Sequence, residues 1–368
     1  WYWNLVRDQL ELDAAQRARA EELVADATDD MAKVRAIHRH VVSSVRYVAL
    51  EFGVHRFKPY RVSDIETRGF GDCKDQASLI IAMLEHVGVH AEMVLIRTRR
   101  LGNIESEPPS LEVFNHAILY VPSIDLYIDP TAERVAVGAL PSADQGVMVL
   151  RVDEDSVLLT RTPLYEPQQQ TRSVELDLEL SDEGNVRGRV EIETTGWMAG
   201  YTRMQLDDPS NRVNNLERQF GRSIRGIRIS NVTSSDLTEL DLDASASMDA
   251  EVPNFARVEG EALTFPVSVA PPLSSLVTLP ERTQDLVFGP PLAWNESITV
   301  NLPAGRRAES LPAPVEITSP LAEFRQAVTA SGGNAVRIQS SLRWRAERVT
   351  PEQYPELRRL VEQITAAR

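Results

Sequence analysis

The period of the apolar residues changes part-way along this chain, and that change excludes most architectures. Between residues 31 and 46 they recur at Val34, Ile37, Val41, Val42 and Val45, close to the roughly 3.6-residue period of a helix. From about residue 165 they alternate instead. Segments 173–180 (SVELDLEL) and 186–194 (VRGRVEIET) carry an apolar group at nearly every second position, with the turn SDEGN between them, which is a hairpin pattern. A helical pattern followed by strands, without regular strand–helix–strand alternation, predicts an α+β fold rather than a doubly wound sheet. Pro167 and the glutamines at 168–170 read as a linker, so the expected division is 1–165 and 166–368.

Within the first part, residues 14–27 are rich in helix formers, and 51–70 read as irregular, punctuated by Gly53, Pro59 and Gly69. A helix is expected to start at Asp72, with Asp75 completing a capping box, Ala77, Ile80, Ile81, Leu84 and Val87 on its apolar face, and Gly88 at its end. Strand-like runs follow at 92–98, 113–121 and 124–129. The second part predicts a β-sandwich-like region of short strands interrupted by Pro253, Pro266 and Pro280. A helix over 209–221, a strand over 335–345 and a terminal helix over 351–367 complete it. The acidic run 236–249 lacks the spacing and glycine of a calcium loop and reads as a solvated loop.

The formal net charge of −15 argues against nucleic acid as a partner and against docking on an anionic membrane. No apolar run reaches the roughly 18 residues of a spanning helix. The chain opens on Trp1, Tyr2 and Trp3, so it reads as a fragment or a processed product. One cysteine, Cys73, excludes an internal disulfide and a zinc site built from several thiolates. His38 and His40, two apart on a helix, face different sides and do not form a metal pair, and no phosphate loop is present. No cofactor or metal is expected.

Three segments carry chemistry: GDCKDQA (71–77), FNHAILYV (114–121) and LYIDPT (126–131). A thiol in the first turn of a helix meets the positive end of the helix dipole, which favours the nucleophilic thiolate, while Asp72 and Asp75 act against it. The Cys73 amide would also face an attacked carbonyl. His116 lies on a strand and has the chemistry of a general base. Asp129, at the end of the next strand, would return beside His116 through a hairpin at Pro122 and Ser123 and orient its ring. Taken singly, each has a structural reading: a small buried hydrophobe, a core histidine and a strand-end cap.

These segments resemble the Cys, His and Asp motifs of the transglutaminase-like superfamily, which has a papain-like core. The upstream stretch VRYVALEFGVHRFKP (45–59), the GDCKD run and the DPT ending are similar to a bacterial, mostly uncharacterised branch that sets this core between β-rich domains. The resemblance covers roughly residues 1–150, and an N-terminal β domain usual in that branch is missing from this sequence. It implies Cys73 as nucleophile, His116 as base and Asp129 as orienter, and a periplasmic or extracytoplasmic setting. Tyr47 is a candidate second oxyanion donor, and Asp72, Glu51 and Asn115 are candidate accessory residues.

The expected activity is therefore cysteine-dependent acyl transfer on peptide or protein amides through a thioester, as peptidase, amidase or transglutaminase, with hydrolysis favoured. The alternatives are a non-catalytic scaffold presenting β-rich surfaces to a protein partner, and a small-molecule isomerase or deglycating amidase using the same thiol.

Overall fold

The computed structural model describes residues 1–104, 110–270, 272–332 and 334–367. The chain divides into two compact units, Trp1–Leu164 and Tyr165–Arg368.

Unit 1 opens with helices α1 (Tyr2–Val6), α2 (Ala14–Leu23) and α3 (Asp30–Ser44), followed by strand β1 (Arg46–Tyr47), helix α4 (Val62–Arg68), strand β2 (Phe70–Gly71) and helix α5 (Cys73–His86). Strands β3 (Glu92–Ile96), β4 (His116–Val121), β5 (Leu126–Ile128), β6 (Met148–Val152) and β7 (Val157–Arg161) then form a sheet in the order β5-β4-β3-β6-β7. Its strand neighbours pair antiparallel throughout. Where the sequence suggested one apolar face on α5, the structure buries every residue from Cys73 to Leu84. Ala77, Leu79, Ile80, Met83 and Leu84 enter one core with Met93, Leu95, Leu119 and Val121 of the sheet and with Val34, Ile37 and Val41 of α3. On this enclosed helix Gln76 donates Nε2 to the carbonyl of Val45 at 2.7 Å, while its Oε1 and the Ser78 hydroxyl are buried without a hydrogen-bond partner.

Unit 2 is β-rich. The expected hairpin forms: β8 (Thr171–Leu180) and β9 (Val186–Thr194) pair antiparallel, with Leu180 opposite Val186. Val174, Leu176, Leu178 and Leu180 point inward and Glu175, Asp177 and Glu179 outward, as the alternation requires. Opposite Asp177 and Glu179 stand Arg189 and Arg187. In the turn, Gly184 has φ of +84°, and a Cβ there would lie 2.3 Å from the carbonyl oxygen of Ala256, so only glycine fits.

Helices α6 (Trp197–Leu206) and α7 (Arg212–Phe220) follow, then β10 (Arg228–Ser234), β11 (Ala244–Val252) and the short strands β12 (Arg257–Glu259), β13 (Ala262–Thr264) and β14 (Leu286–Val287). The last strands are β15 (Leu292–Asn301), β16 (Val315–Thr318), β17 (Ala322–Ser331), β18 (Ala335–Trp344) and β19 (Arg348–Val349), before helix α8 (Tyr354–Ala367). The region expected as sandwich-like is one continuous eight-stranded sheet, ordered β10-β11-β9-β8-β15-β18-β17-β16. Its neighbours are antiparallel except at the centre, where β8 and β15 run parallel. The acidic run read as a loop contains the start of β11, whose alternating Ala246, Met248 and Ala250 are buried. Tyr354, Leu357, Leu360, Val361 and Ile364 of α8 pack with Phe324, Leu342 and Trp344 in a second core. Among the described residues no helix is long and apolar enough to cross a membrane.

Candidate active site

The start of α5 is fixed from several directions. Asp72 caps the helix, accepting from the Asp75 amide at 3.3 Å, while Asp75 accepts from the Asp72 amide at 3.2 Å. Asp75 also accepts from the Tyr60 amide at 2.9 Å and from Arg68 Nη2 at 2.8 Å. Arg68 in turn stacks over Tyr60, 4.2 Å from its ring centre. Lys74, 3% exposed, pairs with the fully buried Asp72. Burial and the Asp72 charge raise the Asp75 pKa, against the two amide bonds and Lys74. Gly71 precedes this cap because a Cβ there would come within 2.7 Å of Asp75 Cβ. Cys73 thus sits in the first helical turn on a rigid support, and it is 6% exposed.

His116 begins β4, opposite Ile96 of β3. Asp129 follows β5, which returns antiparallel along β4 after a helical turn at Pro122–Ile124, so the sequence-predicted hairpin brings the carboxylate to the ring. His116 Nε2 lies 3.1 Å from Asp129 Oδ1. Cys73 also lies near enough to the His116 ring to help raise its pKa.

The Asp-Pro-Thr ending has a local function. Asp129 Oδ1 accepts from the Thr131 amide at 2.9 Å and from the Thr131 hydroxyl at 2.8 Å, an Asx-type turn that aims the carboxylate. Burial alone would raise the Asp129 pKa. The facing His116 outweighs it, with help from Asp144 and Thr131, and holds the carboxyl below its usual range. Burial likewise disfavours charge on His116, but Asp129 and the thiol hold its pKa well above the ordinary value.

Of the accessory candidates, Tyr47 is brought near by the parallel pairing of β1 with β2, where it stands opposite Gly71. Its phenol pKa is raised by burial and by Cys73, with Asp72 and Glu51 adding to the rise and His116 opposing it. Glu51 is exposed. Asn115 is exposed and turned to Thr98, accepting from its amide at 2.9 Å, so its side chain braces the β3–β4 entry.

Two residues near the site escaped the sequence reading. Tyr2 is buried, and Cys73, Asp72 and Asp75 add to the effect of burial in raising its pKa. Asp144, 2% exposed in the turn before β6, is close enough to Asp129 for each buried carboxyl group to shift the pKa of the other. No local pattern marks either one. His116, Asp129 and Asp144 offer ligand atoms within 4.8 Å of one another, a spacing a cation could use.

The other histidines make separate contacts. His40 meets Glu66 at 2.8 Å, His86 meets Glu21 at 3.0 Å, and His55 stacks on Tyr60 with 3.8 Å between ring centres.

Unit 1 thus sets an antiparallel sheet against a buried helix that presents a cysteine at its first turn, with a histidine and an aspartate from adjacent strands. Within it, residues 17–121 match the family model of the transglutaminase-like superfamily. Residues 261–368 match a domain of unknown function with solved structure, DUF3858. No curated protein matches the chain. Among solved structures, that of a "putative protease" from Parabacteroides distasonis shares the fold, with a TM-score of 0.57 at 12% identity. The match covers 99% of this chain and 56% of that one, so this chain spans little more than half the length of its neighbour.

Proposed function

We propose that this protein transfers acyl groups from peptide or protein amides through a thioester on Cys73. One observation carries the reading: the His116 ring lies 3.1 Å from the buried Asp129 carboxylate, and Cys73, in the first turn of a helix, is near enough to that ring to help raise its pKa. His116 accepts the thiol proton, and the sulfur attacks the amide carbon. The resulting oxyanion is stabilised by the Cys73 amide in the first turn of α5, with the Tyr47 hydroxyl as the candidate second donor. Imidazolium then delivers its proton to the departing amine, leaving a thioester. Asp129 holds the ring and stabilises its charge. Water as acceptor completes hydrolysis; an amine would complete transamidation. The Parabacteroides neighbour, described as a "putative protease", inclines the reading to hydrolysis.

A scaffold without turnover is favoured by the low exposure of Cys73, 6%. Alkylation by iodoacetamide, followed by intact-mass spectrometry, separates the two. The enzymatic reading expects one adduct, absent in Cys73→Ala and much slower in His116→Ala, formed faster at neutral pH than on an unstructured cysteine peptide. A wild-type rate at or below that of the peptide defeats it.

A further inference from the structure

We propose that Asp144 is a positioning residue for this site: as a neutral carboxylic acid it donates a hydrogen bond to Asp129 and locks that carboxylate against His116. The inference rests on the reading of Cys73, His116 and Asp129 given above, and adds a residue to it.

The placement comes first. Asp144 lies in the turn between β5 and β6, and its backbone is held at both ends. Its amide donates to the carbonyl of Pro141 at 3.0 Å, and its own carbonyl accepts from the Thr162 hydroxyl. On either side, the Ala143 carbonyl accepts from the Arg99 amide at 2.7 Å, and Gln145 Nε2 donates to the Leu140 carbonyl at 2.8 Å. A turn pinned this way sets the direction of the side chain between its anchors. That side chain is 2% exposed and brings a carboxyl oxygen within 4.8 Å of one on Asp129, itself 8% exposed.

Two buried carboxyl groups can hydrogen-bond only if one of them carries a proton, because two carboxylates at that distance repel and neither has a hydrogen to give. The surroundings decide which. Asp129 Oδ1 faces His116 Nε2, the Thr131 amide and the Thr131 hydroxyl, all of which stabilise an anion. The ionisable groups acting on Asp144 are Asp129, which disfavours its charge, and His116, which favours it. The proton therefore belongs to Asp144. Its pKa is pushed up to about 8, by burial first and then by the Asp129 charge.

At neutral pH a single negative charge stands behind the imidazole, with its carboxylate fixed by three donors on one side and an acid on the other. Above about pH 8 the acid is lost, the donor disappears and a second negative charge faces Asp129. Ionised Asp144 and imidazolium stabilise each other, so His116 then holds its proton to higher pH.

The test uses the full chain with 13C-labelled histidine. The His116 signal is identified among the six histidines by its loss in His116→Gln. In Asp144→Asn the amide still donates to Asp129 but cannot ionise, so His116 should lose its proton at lower pH than in wild type. An unchanged His116 titration overturns the proposal. Alkylation of Cys73 at pH 7 supplies the second readout. Asp144→Leu, which cannot donate, should slow it by about 10-fold or more, and Asp144→Asn should restore most of that loss. A leucine variant that folds and reacts like wild type also overturns it. If Leu does not fold, as judged by circular dichroism, the titration of the Asn variant decides alone. Failure of Cys73 to outreact a free peptide thiol in every protein would remove the acyl-transfer reading, while the His116 titration would still decide the role of Asp144.

Discussion

Replacing Lys74 by methionine isolates what the buried ion pair beside the thiol contributes. Lys74 is 3% exposed and its partner Asp72 is fully buried. Methionine keeps the apolar stem packed and removes only the charge. Asp72 would retain its bond from the Asp75 amide, so the cap, worth about 1 kcal/mol, survives. What is lost is the cation that balances a carboxylate shut away from water. Removing one partner of such a pair costs about 3–5 kcal/mol, because the remaining charge keeps its desolvation penalty. For a unit of this size each kcal/mol lowers Tm by roughly 2–4 °C, so Lys74→Met should lower the unit 1 transition by roughly 6–20 °C. Circular dichroism melts at pH 7, checked by urea unfolding, would measure it. The double variant Asp72→Asn, Lys74→Met keeps a capping side chain without an unpaired charge and should recover more than half of the loss. A loss below about 1 kcal/mol for Lys74→Met, or a double variant less stable than the single one, would refute the reasoning.

Two further outcomes follow from the geometry. Asp129→Asn removes the charge that holds imidazolium, so the His116 pKa should fall by roughly 1–3 units and Cys73 alkylation at neutral pH should slow; NMR titration and intact-mass kinetics report the two effects. Leu360→Ala opens a cavity in the core that α8 makes with Phe324 and Trp344, and should cost about 2–5 kcal/mol, read as faster amide exchange across α8 and β18.

Cys73, His116 and Asp129 stood out in the sequence because each lies where local chemistry leaves a mark: a capping box, an alternating run, and a strand end before proline. What failed to show was whatever depends on distant partners. The stretch 51–70 read as irregular, yet α4 forms in it. It has only seven residues, and its last, Arg68, donates both to the nearby Phe70 carbonyl and to Asp75 of the next helix. Asn115, adjacent to the histidine in sequence, turns to Thr98 instead, because a residue just before a strand is oriented by its neighbouring strand's exit. Asp144 sits in a turn of ordinary composition, and its importance arises only when Asp129 arrives from β5. In unit 2 the alternation identified the β8–β9 hairpin, whose pairing is local. It could not identify the order of the central strands, since alternation says which face is buried and nothing about which strand lies alongside.

That central pairing bears on how the chain is made. Ser173 of β8 and Asn295 of β15 touch across the sheet, although they are 122 positions apart. At a translation rate of about 5–20 residues per second, β8 waits roughly 6–25 s for its neighbour to be synthesised. Throughout that interval β9 can cover one flank of β8 while the other displays a row of unmatched amides and carbonyls, ready to recruit any extended segment, including one from another nascent copy. Late-arriving β15 therefore sets the period during which newborn molecules are most open to clumping.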